Sequence, residues 1–288
     1  MRFLVLGATG MAGHVISLYL KRKGHVVITY SRKPFPYCDN FNGEIIENLS
    51  LIENKIRNYD FDAVVNCIGV LNEDAENDKS KAVYLNSYLP HYLVEKTMNK
   101  KTKVIHLSTD CVFSGNVGGY NEDSPKDGTR FYDMTKSLGE IKNKKDLTFR
   151  TSIIGPDINS NGKGLLNWFM KQETAVKGFA KAFWTGVTTT ALAKAIEKAV
   201  SDNICGLYHL VNNTPIAKYD LILLFQKYNL NKDVYVDKDE KNVIDKSLLD
   251  TRNDFNFEVP SYDKMIEEMA DWIKHNKELY PHYDIKRD

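Results

Sequence analysis

Tyr132 and Lys136 stand four residues apart in the stretch FYDMTKSLGE. On a helix that spacing sets both side chains on one face. An ammonium beside a phenol favours phenolate, and so draws the tyrosine down from its ordinary pKa of about 10. A tyrosine tuned this way can give a proton to an oxygen that is gaining negative charge. The chain carries 16 tyrosines, so the spacing by itself also fits a solvated helix face. The pair takes its meaning from what the rest of the chain sets beside it.

Thr109 is the first such neighbour. The run Lys103–Leu107 (KVIHL) reads as a buried strand, and Ser108, Thr109 and Asp110 follow at its carboxyl end. The Thr109 hydroxyl, the Tyr132 phenol and the Lys136 ammonium can converge on one carbonyl oxygen. Donors fixed where charge develops stabilise a transition state more than a ground state, which suits hydride transfer to a carbonyl carbon. Asp110 has two readings: it bonds amides of the following turn, or it touches substrate hydroxyls. No histidine sits at zinc-ligand spacing, and no metal cluster is visible.

These groups need a scaffold, and the first thirty residues name one. Phe3–Leu6 is a short apolar run of the kind buried on both faces of a sheet. Gly7, Gly10 and Gly13 follow at once, then Ala12, Val15, Ile16, Tyr19 and Leu20 at helical spacing, then the strand-like run His25–Tyr30. Strand, glycine turn, helix and strand form a dinucleotide fingerprint. Gly7 permits the tight turn, Gly10 admits a pyrophosphate, Gly13 packs helix on strand, and the helix amides offer an anion site. At the end of the second strand stand Ser31, Arg32 and Lys33, with no carboxylate for a ribose hydroxyl. A guanidinium there suits a 2′-phosphate, so NADPH is the expected cofactor, with NADH left open.

Further strands are expected at Ala63–Ile68, ending at Gly69, and at Lys103–Leu107, with a helix Ala82–Met98 interrupted near Pro90. The alternation predicts an α/β, doubly wound parallel sheet with helices on both faces. Ligands gather at the carboxyl ends of such strands, which brings Gly7–Gly13, Ile68-Gly69 and Ser108–Asp110 together. Beyond Arg150 the pattern loosens. Helices are expected at Leu165–Gln172, up to Val200 with Thr188 or Thr189 as cap, and at Tyr219–Tyr228, with a further element around Tyr262–Asn276. A strand is expected at Leu207–Val211, and another element around Lys246–Phe257. Trp184 either stacks on a base or sugar or fills the core, the commoner fate of a lone tryptophan. Arg252 either binds a diphosphate or makes a surface salt bridge. The tail Tyr280–Asp288 reads as frayed.

Composition excludes several classes. The 288 residues are 42% hydrophobic and 27% charged with net charge +1, ordinary globular material with no case for nucleic acid or membrane partners. The clusters Lys100, Lys101, Lys103 and Lys142, Lys144, Lys145 are short enough to be solvated loop surface. Cys38, Cys67, Cys111 and Cys205 form no C-x-x-C pair, which fits a reduced compartment. No apolar run approaches the ~18 residues of a membrane span. Phe3–Leu6 ends in glycines without a cleavage site, so no signal peptide is read and a cytoplasmic location is expected.

Gly-x-x-Gly-x-x-Gly near the start with Tyr-x-x-x-Lys near the middle resembles the extended short-chain dehydrogenase/reductases. The stretch LSTDCVFSGNVGGYNEDSPKDGTRFYDMTKSLGE resembles one branch, the dTDP-4-dehydrorhamnose reductases. That branch carries Ser-Thr-Asp-x-Val-Phe-x-Gly, an acidic segment ending in Pro, Tyr-Gly-x-x-Lys, and Gly-Glu. Here these read as Ser108–Gly115, Glu122–Pro125, Tyr132–Lys136 and Gly139-Glu140. FRTSIIG and GLYHLVNN extend the likeness over most of the chain.

The resemblance implies Thr109, Tyr132 and Lys136 as catalytic residues, with Tyr132 and Lys136 also on the cofactor. It implies a Rossmann-type domain at 1–150 plus about 184–212, and a small substrate-binding lobe at about 151–183 and 213–288. Gly7, Thr9, Gly10, Met11 and Gly13 would hold the pyrophosphate, Ser31 and Arg32 the adenosine end, Ile68 and Gly69 the nicotinamide side. Asp110, Cys111, Val112, Phe113, Thr151, Trp184 and Arg252 are the implied substrate side. The implied substrate is a nucleotide-linked 4-keto-6-deoxy sugar, and a homodimer is left open. Three departures fall near the pocket: Cys111 where the family usually has Tyr, Asp133 where it usually has Gly, and NCIGVLNED at Asn66–Asp74 in place of the family's usual stretch.

Two other readings remain. An epimerase or dehydratase of the same fold would recycle its hydride, although dehydratases generally add an acidic pair beside the threonine, and Thr109 is followed by Asp110 and then Cys111. A non-catalytic NADP-binding subunit, like the regulatory subunit of methionine adenosyltransferase, would need no intact Thr109, Tyr132 and Lys136.

Overall fold

The computed structural model describes residues 1–284. In chain order, β1 (Arg2–Leu6), β2 (Val26–Ser31), β3 (Asp39–Asn42), β4 (Ala63–Asn66), β5 (Lys103–Ser108) and β6 (Leu147–Arg150) join a seventh strand, Gly206–His209, in one sheet. The order across it is Gly206–His209, β6, β5, β4, β1, β2, β3, and every neighbouring pair is parallel. The chain winds outward from β1 to β3, returns to β4, and winds the other way. The reversal leaves a crevice between the carboxyl ends of β1 and β4.

Alternation along the strands feeds two cores. Phe3, Val5, Val65, Ile105 and Phe149 face one side, where they meet helix α1 (Met11–Arg22) and the helix Thr189–Ser201. Leu4, Leu6, Val64 and Val104 face the other, against the helices Ile45–Asn58 and Leu89–Lys96. The fold is therefore a Rossmann-type, doubly wound α/β sheet.

The expected helix Ala82–Met98 is three pieces: Lys79–Ala82, a π-helical turn Val83–Tyr88, and Leu89–Lys96. Pro90 has no N–H for the Asn86 carbonyl, and its ring crowds that carbonyl; a widened turn relieves both. The same turn turns Asn86 inward, where it bonds both the N–H and the carbonyl of Val70, at 2.8 and 2.9 Å.

Beyond Arg150 the chain makes three small sheets. Ser152–Ile154 pairs with Gly186–Thr188, Ala182–Trp184 with Ile216–Ala217 and Ile244–Asp245, and Val176–Phe179 with Val236–Asp239. Thr188 caps the helix Thr189–Ser201 through the N–H of Ala191. The stretch 246–257, expected as a regular element, is a loop. Its polar backbone is spent on other segments: Leu248 N–H goes to Thr185 Oγ1 and Leu249 N–H to the Tyr120 carbonyl.

Two expectations change. Lys103 is buried, its ammonium 2.7 Å from the Ile204 carbonyl, so it braces β5 rather than a solvated loop. The tail is docked as far as Tyr283, with Tyr280 and Tyr283 buried, because both rings pack into the α1-side core; 285–288 lie outside the described residues. Among the described residues, no helix is long and apolar enough to cross a membrane.

Candidate active site

Gly7 has φ +86°, and a Cβ there would sit 3.1 Å from the Cys67 carbonyl, so β1 and the loop after β4 abut. A Cβ on Gly13 would lie 2.1 Å from Gly7 O; only glycine lets α1 sit this close to the turn. α1 starts from Gly10 with no side-chain cap and no acidic residue in its first turn. Its leading amides therefore suit an anion, as a dinucleotide pyrophosphate requires. Thr9 gives its carbonyl to Asn159 Nδ2 at 2.8 Å, and the Met11 sulfur packs against Gly164. Ile68 N–H bonds Asn66 Oδ1 at 3.1 Å, and Gly69 backs onto the Asn86 amide. At the end of β2, Ser31 is buried with its hydroxyl on the Lys33 carbonyl, 2.7 Å, while Arg32 is exposed.

The carboxyl end of β5 brings Thr109 to the helix Phe131–Leu138. Thr109 Oγ1 donates to Asp110 Oδ1 at 3.0 Å and accepts the Cys111 N–H at 3.1 Å. Its hydroxyl also lies near the Tyr132 phenol, close enough to favour phenolate. Thr135 Oγ1 receives Asn86 Nδ2 at 3.1 Å, so the π-helical turn fixes this helix against the loop after β4.

Lys136 is buried and gives its Nζ to the Leu107 carbonyl at 2.6 Å. Burial pulls its ammonium down to about 8, against Glu140 and Cys67, which favour the charge. His106 Nε2 lies 3.4 Å from Nζ, and His106 Nδ1 3.3 Å from Asn66 Nδ2. Burial, with Lys136 and His91 behind it, keeps that ring neutral. The expected acidification of Tyr132 is corrected here. Burial drives the phenol well above its ordinary value, the Cys111 thiol adds to this, and the Thr109 hydroxyl only partly offsets it.

The candidates on the substrate side separate. Asp110 and Cys111 stay beside Thr109 and Tyr132. Val112 and Phe113 belong to a small buried cluster with Tyr120, Val211 and Leu248, where Phe113 stacks on Tyr120 at 4.2 Å. Thr151 spends its hydroxyl on the Leu210 carbonyl at 2.8 Å, stitching the end of β6 to the next strand. Trp184 is core, buried and tilted on Tyr262 at 5.6 Å. Arg252 is not a diphosphate contact in this arrangement. Its Nη1 holds the carbonyls of Cys205 and Leu207 at the amino end of Gly206–His209, opposite the crevice, and it pairs with Asp254.

The sequence profile of the RmlD substrate binding domain matches residues 1–238. The chain belongs to this RmlD family of extended short-chain dehydrogenase/reductases. It is similar to the spore coat polysaccharide biosynthesis protein SpsK of Bacillus subtilis, 26% identical over 225 residues and covering 76% of each chain. It is 28% identical over 235 residues to the dTDP-4-dehydrorhamnose reductase of Escherichia coli, covering 78% of this chain and 77% of that one. The fold matches the crystal structure of dTDP-4-dehydrorhamnose reductase from Bacillus anthracis in complex with NADP, with TM-score 0.77 and 19% identity over 95% and 99% of the two chains.

In this RmlD-family chain the departures at 111 and 133 meet through a third residue. Arg130 pairs with Asp133 and lies near the Cys111 thiol. Asp133 also accepts the Arg130 N–H at 3.2 Å, which caps the helix that carries Tyr132. Glu140 of the Gly-Glu pair is buried and forked to Arg150, both contacts 2.7 Å, and takes the Ser108 hydroxyl at 2.7 Å. Arg150 Nη1 continues to His209 Nε2 at 2.8 Å. Sequence reading passed over His106, Asn86 and this network. The signal was there in part: His106 is a polar residue inside the buried run KVIHL.

Proposed function

We propose that this chain reduces the 4-keto group of a nucleotide-linked 6-deoxy sugar with NADPH, in the synthesis of a surface-polysaccharide precursor. The observation that carries the reading is the contact of Thr109 and Tyr132 at the end of β5, with Lys136 one turn on, beside the glycine turn. The chain is then an oxidoreductase acting on a keto group.

A nicotinamide cofactor bound in the crevice supplies the hydride. The α1 amides and Gly7, Gly10 and Gly13 hold its pyrophosphate. Arg32, exposed at the end of β2, takes the 2′-phosphate, and Ile68 and Gly69 line the nicotinamide side. Thr109 and Tyr132 hold the keto oxygen, and Tyr132 gives it the proton. A phenol that burial keeps protonated is a ready donor. Lys136 supplies the positive charge that compensates the phenolate left behind. Its contact with Leu107 O keeps that charge beneath the helix. The substrate lobe, about 151–183 and from 213 onward, supplies the sugar's side of the crevice.

The test is incubation with NADPH and a panel of nucleotide-linked 4-keto-6-deoxy sugars, with absorbance loss and product identity followed together. Stoichiometric NADPH consumption with a 4-hydroxy product supports the reading. An isomerised or dehydrated product without net consumption would assign an epimerase or dehydratase instead. Tight NADPH binding with no oxidation on any sugar would favour a regulatory subunit.

A further inference from the structure

We infer that the C-terminal segment holds the glycine turn in its anion-binding shape through Tyr280 and Tyr283, as positioning residues for the cofactor. The inference rests on the reading of Gly7–Gly13 as the cofactor turn.

Two chains of hydrogen bonds run from this segment to the turn. In one, Trp272 Nε1 donates to Tyr280 Oη at 2.9 Å, and Tyr280 Oη lies 2.8 Å from His14 Nε2. His14 Nδ1 lies 2.8 Å from Gly10 O. The directions are forced at both ends, because an indole N–H only donates and a carbonyl only accepts. His14 therefore carries its proton on Nδ1 and accepts from Tyr280. Burial, which pulls the ring down to about 4, keeps it in that neutral form.

In the other chain, Asp157 N–H donates to Tyr283 Oη at 2.9 Å. Asp157 Oδ1 accepts from the N–H and Nδ2 of Asn159 at 2.8 and 2.9 Å, and Asn159 Nδ2 donates to Thr9 O at 2.8 Å.

Both chains end on consecutive carbonyls of the turn, Thr9 and Gly10. In a trans peptide the N–H of the next residue points opposite the carbonyl. Gly10 O also takes the His14 backbone N–H at 3.2 Å, so the relay adds a second, shorter bond to the helix's own; together they aim the Met11 N–H away from His14, as the first unpaired amide of α1. Gly10 N–H is itself occupied by Gly7 O at 2.9 Å, so the turn has little freedom left. The anchor is rigid: Tyr280 and Tyr283 stack at 5.6 Å, and the Arg22 guanidinium lies 4.7 Å over Trp272. A segment 266 residues away thus sets the first turn of the chain.

Fluorescence titration with NADPH tests this on the full chain. Tyr280→Phe should raise the dissociation constant about tenfold, the scale of one net hydrogen bond, with kcat at saturating NADPH unchanged. Tyr283→Phe should act in the same direction. Tyr262→Phe, which removes a comparable bond to the Thr214 carbonyl, is the control for stability alone and should leave NADPH affinity as in wild type. Wild-type affinity in Tyr280→Phe with a lowered Tm would overturn the inference. If the wild type binds no NADPH, the functional reading fails. The positioning is then judged by hydrogen exchange at Met11 and Ala12: faster exchange in Tyr280→Phe upholds it, and unchanged exchange overturns it.

Discussion

Arg130 grips Asp133 twice, Nη2 to Oδ1 at 2.9 Å and Nε to Oδ2 at 3.1 Å. Asp133 lies one residue after Tyr132 and is buried, so this grip sets the start of the helix that aims the phenol. The same guanidinium lies near Cys111, so the two positions where the chain departs from its family pattern are neighbours in the fold. Asp133→Ala removes the cap and frees Arg130. The Arg130 side chain is half exposed, so the ion pair adds little, and the loss should be about 1–2 kcal/mol by denaturant unfolding. KM for the sugar should rise while the NADPH dissociation constant stays, because neither residue touches the glycine turn. A change confined to NADPH affinity would contradict this geometry.

Tyr132→Phe keeps the ring in its buried slot and removes only the proton donor. NADPH binding should survive, and kcat should fall by at least about 100-fold, the scale of a lost general acid. Single-turnover reduction of a 4-keto sugar is the measurement. Turnover within a few-fold of wild type would assign the proton to another group.

What could be read from the sequence was whatever is local. The run from Phe3 through the glycines to α1 gave strand, turn and helix, because a buried parallel strand, a φ-positive Gly7 and closely packed glycines leave marks within a few residues. Tyr132 and Lys136 were legible for the same reason, since helix periodicity sets their spacing. Of the two readings of Arg252 the salt bridge is the one present, with Asp254; its bonds to the Cys205 and Leu207 carbonyls were hidden because those partners lie more than forty residues away, and a guanidinium serves a carbonyl as well as a phosphate. Tyr280 was misread as tail because its value comes from His14 at the other end of the chain. The phenol's upward shift was hidden too: local spacing supplies the neighbouring charge, while burial is supplied by the whole fold.

Burial brings Lys136 to about 8, so its charge changes within the working range. Below that pH the ammonium is present and can compensate phenolate; as pH rises through it, the charge is lost. kcat should therefore fall on the alkaline side with a midpoint near pH 8. The groups facing the ammonium are Glu140, just past the end of its own helix, Cys67 from the loop after β4, and neutral His106 on β5. Lys136→Arg, charged throughout, should lose this limb even where its rate is lower. A wild-type midpoint near that of a free lysine would refute the burial account.

The Glu140–Arg150 pair carries a stability prediction with a sign. Both side chains are almost fully buried, 3% and 2% exposed, so removing Arg150 leaves a buried Glu140 charge with only the partly exposed Lys126 to balance it. Arg150→Met should cost about 3–5 kcal/mol in denaturant unfolding at neutral pH. Burial alone would raise the Glu140 carboxyl, but Arg150, with Ser108 and Lys126, outweighs it and holds the group below 4.5. A depressed carboxylate contributes stability above its unfolded value and loses it as pH falls through the folded one. Wild type should therefore weaken as pH drops below about 4.5. In Arg150→Met the carboxyl keeps the burial and loses its main partner, with only Ser108 and Lys126 left to oppose the burial, so its pKa rises. Mild acidification from neutrality should then protonate Glu140 and recover stability. Unfolding curves across that range separate the two: opposite slopes support the assignment, and parallel ones would mean that Glu140 draws its charge from elsewhere.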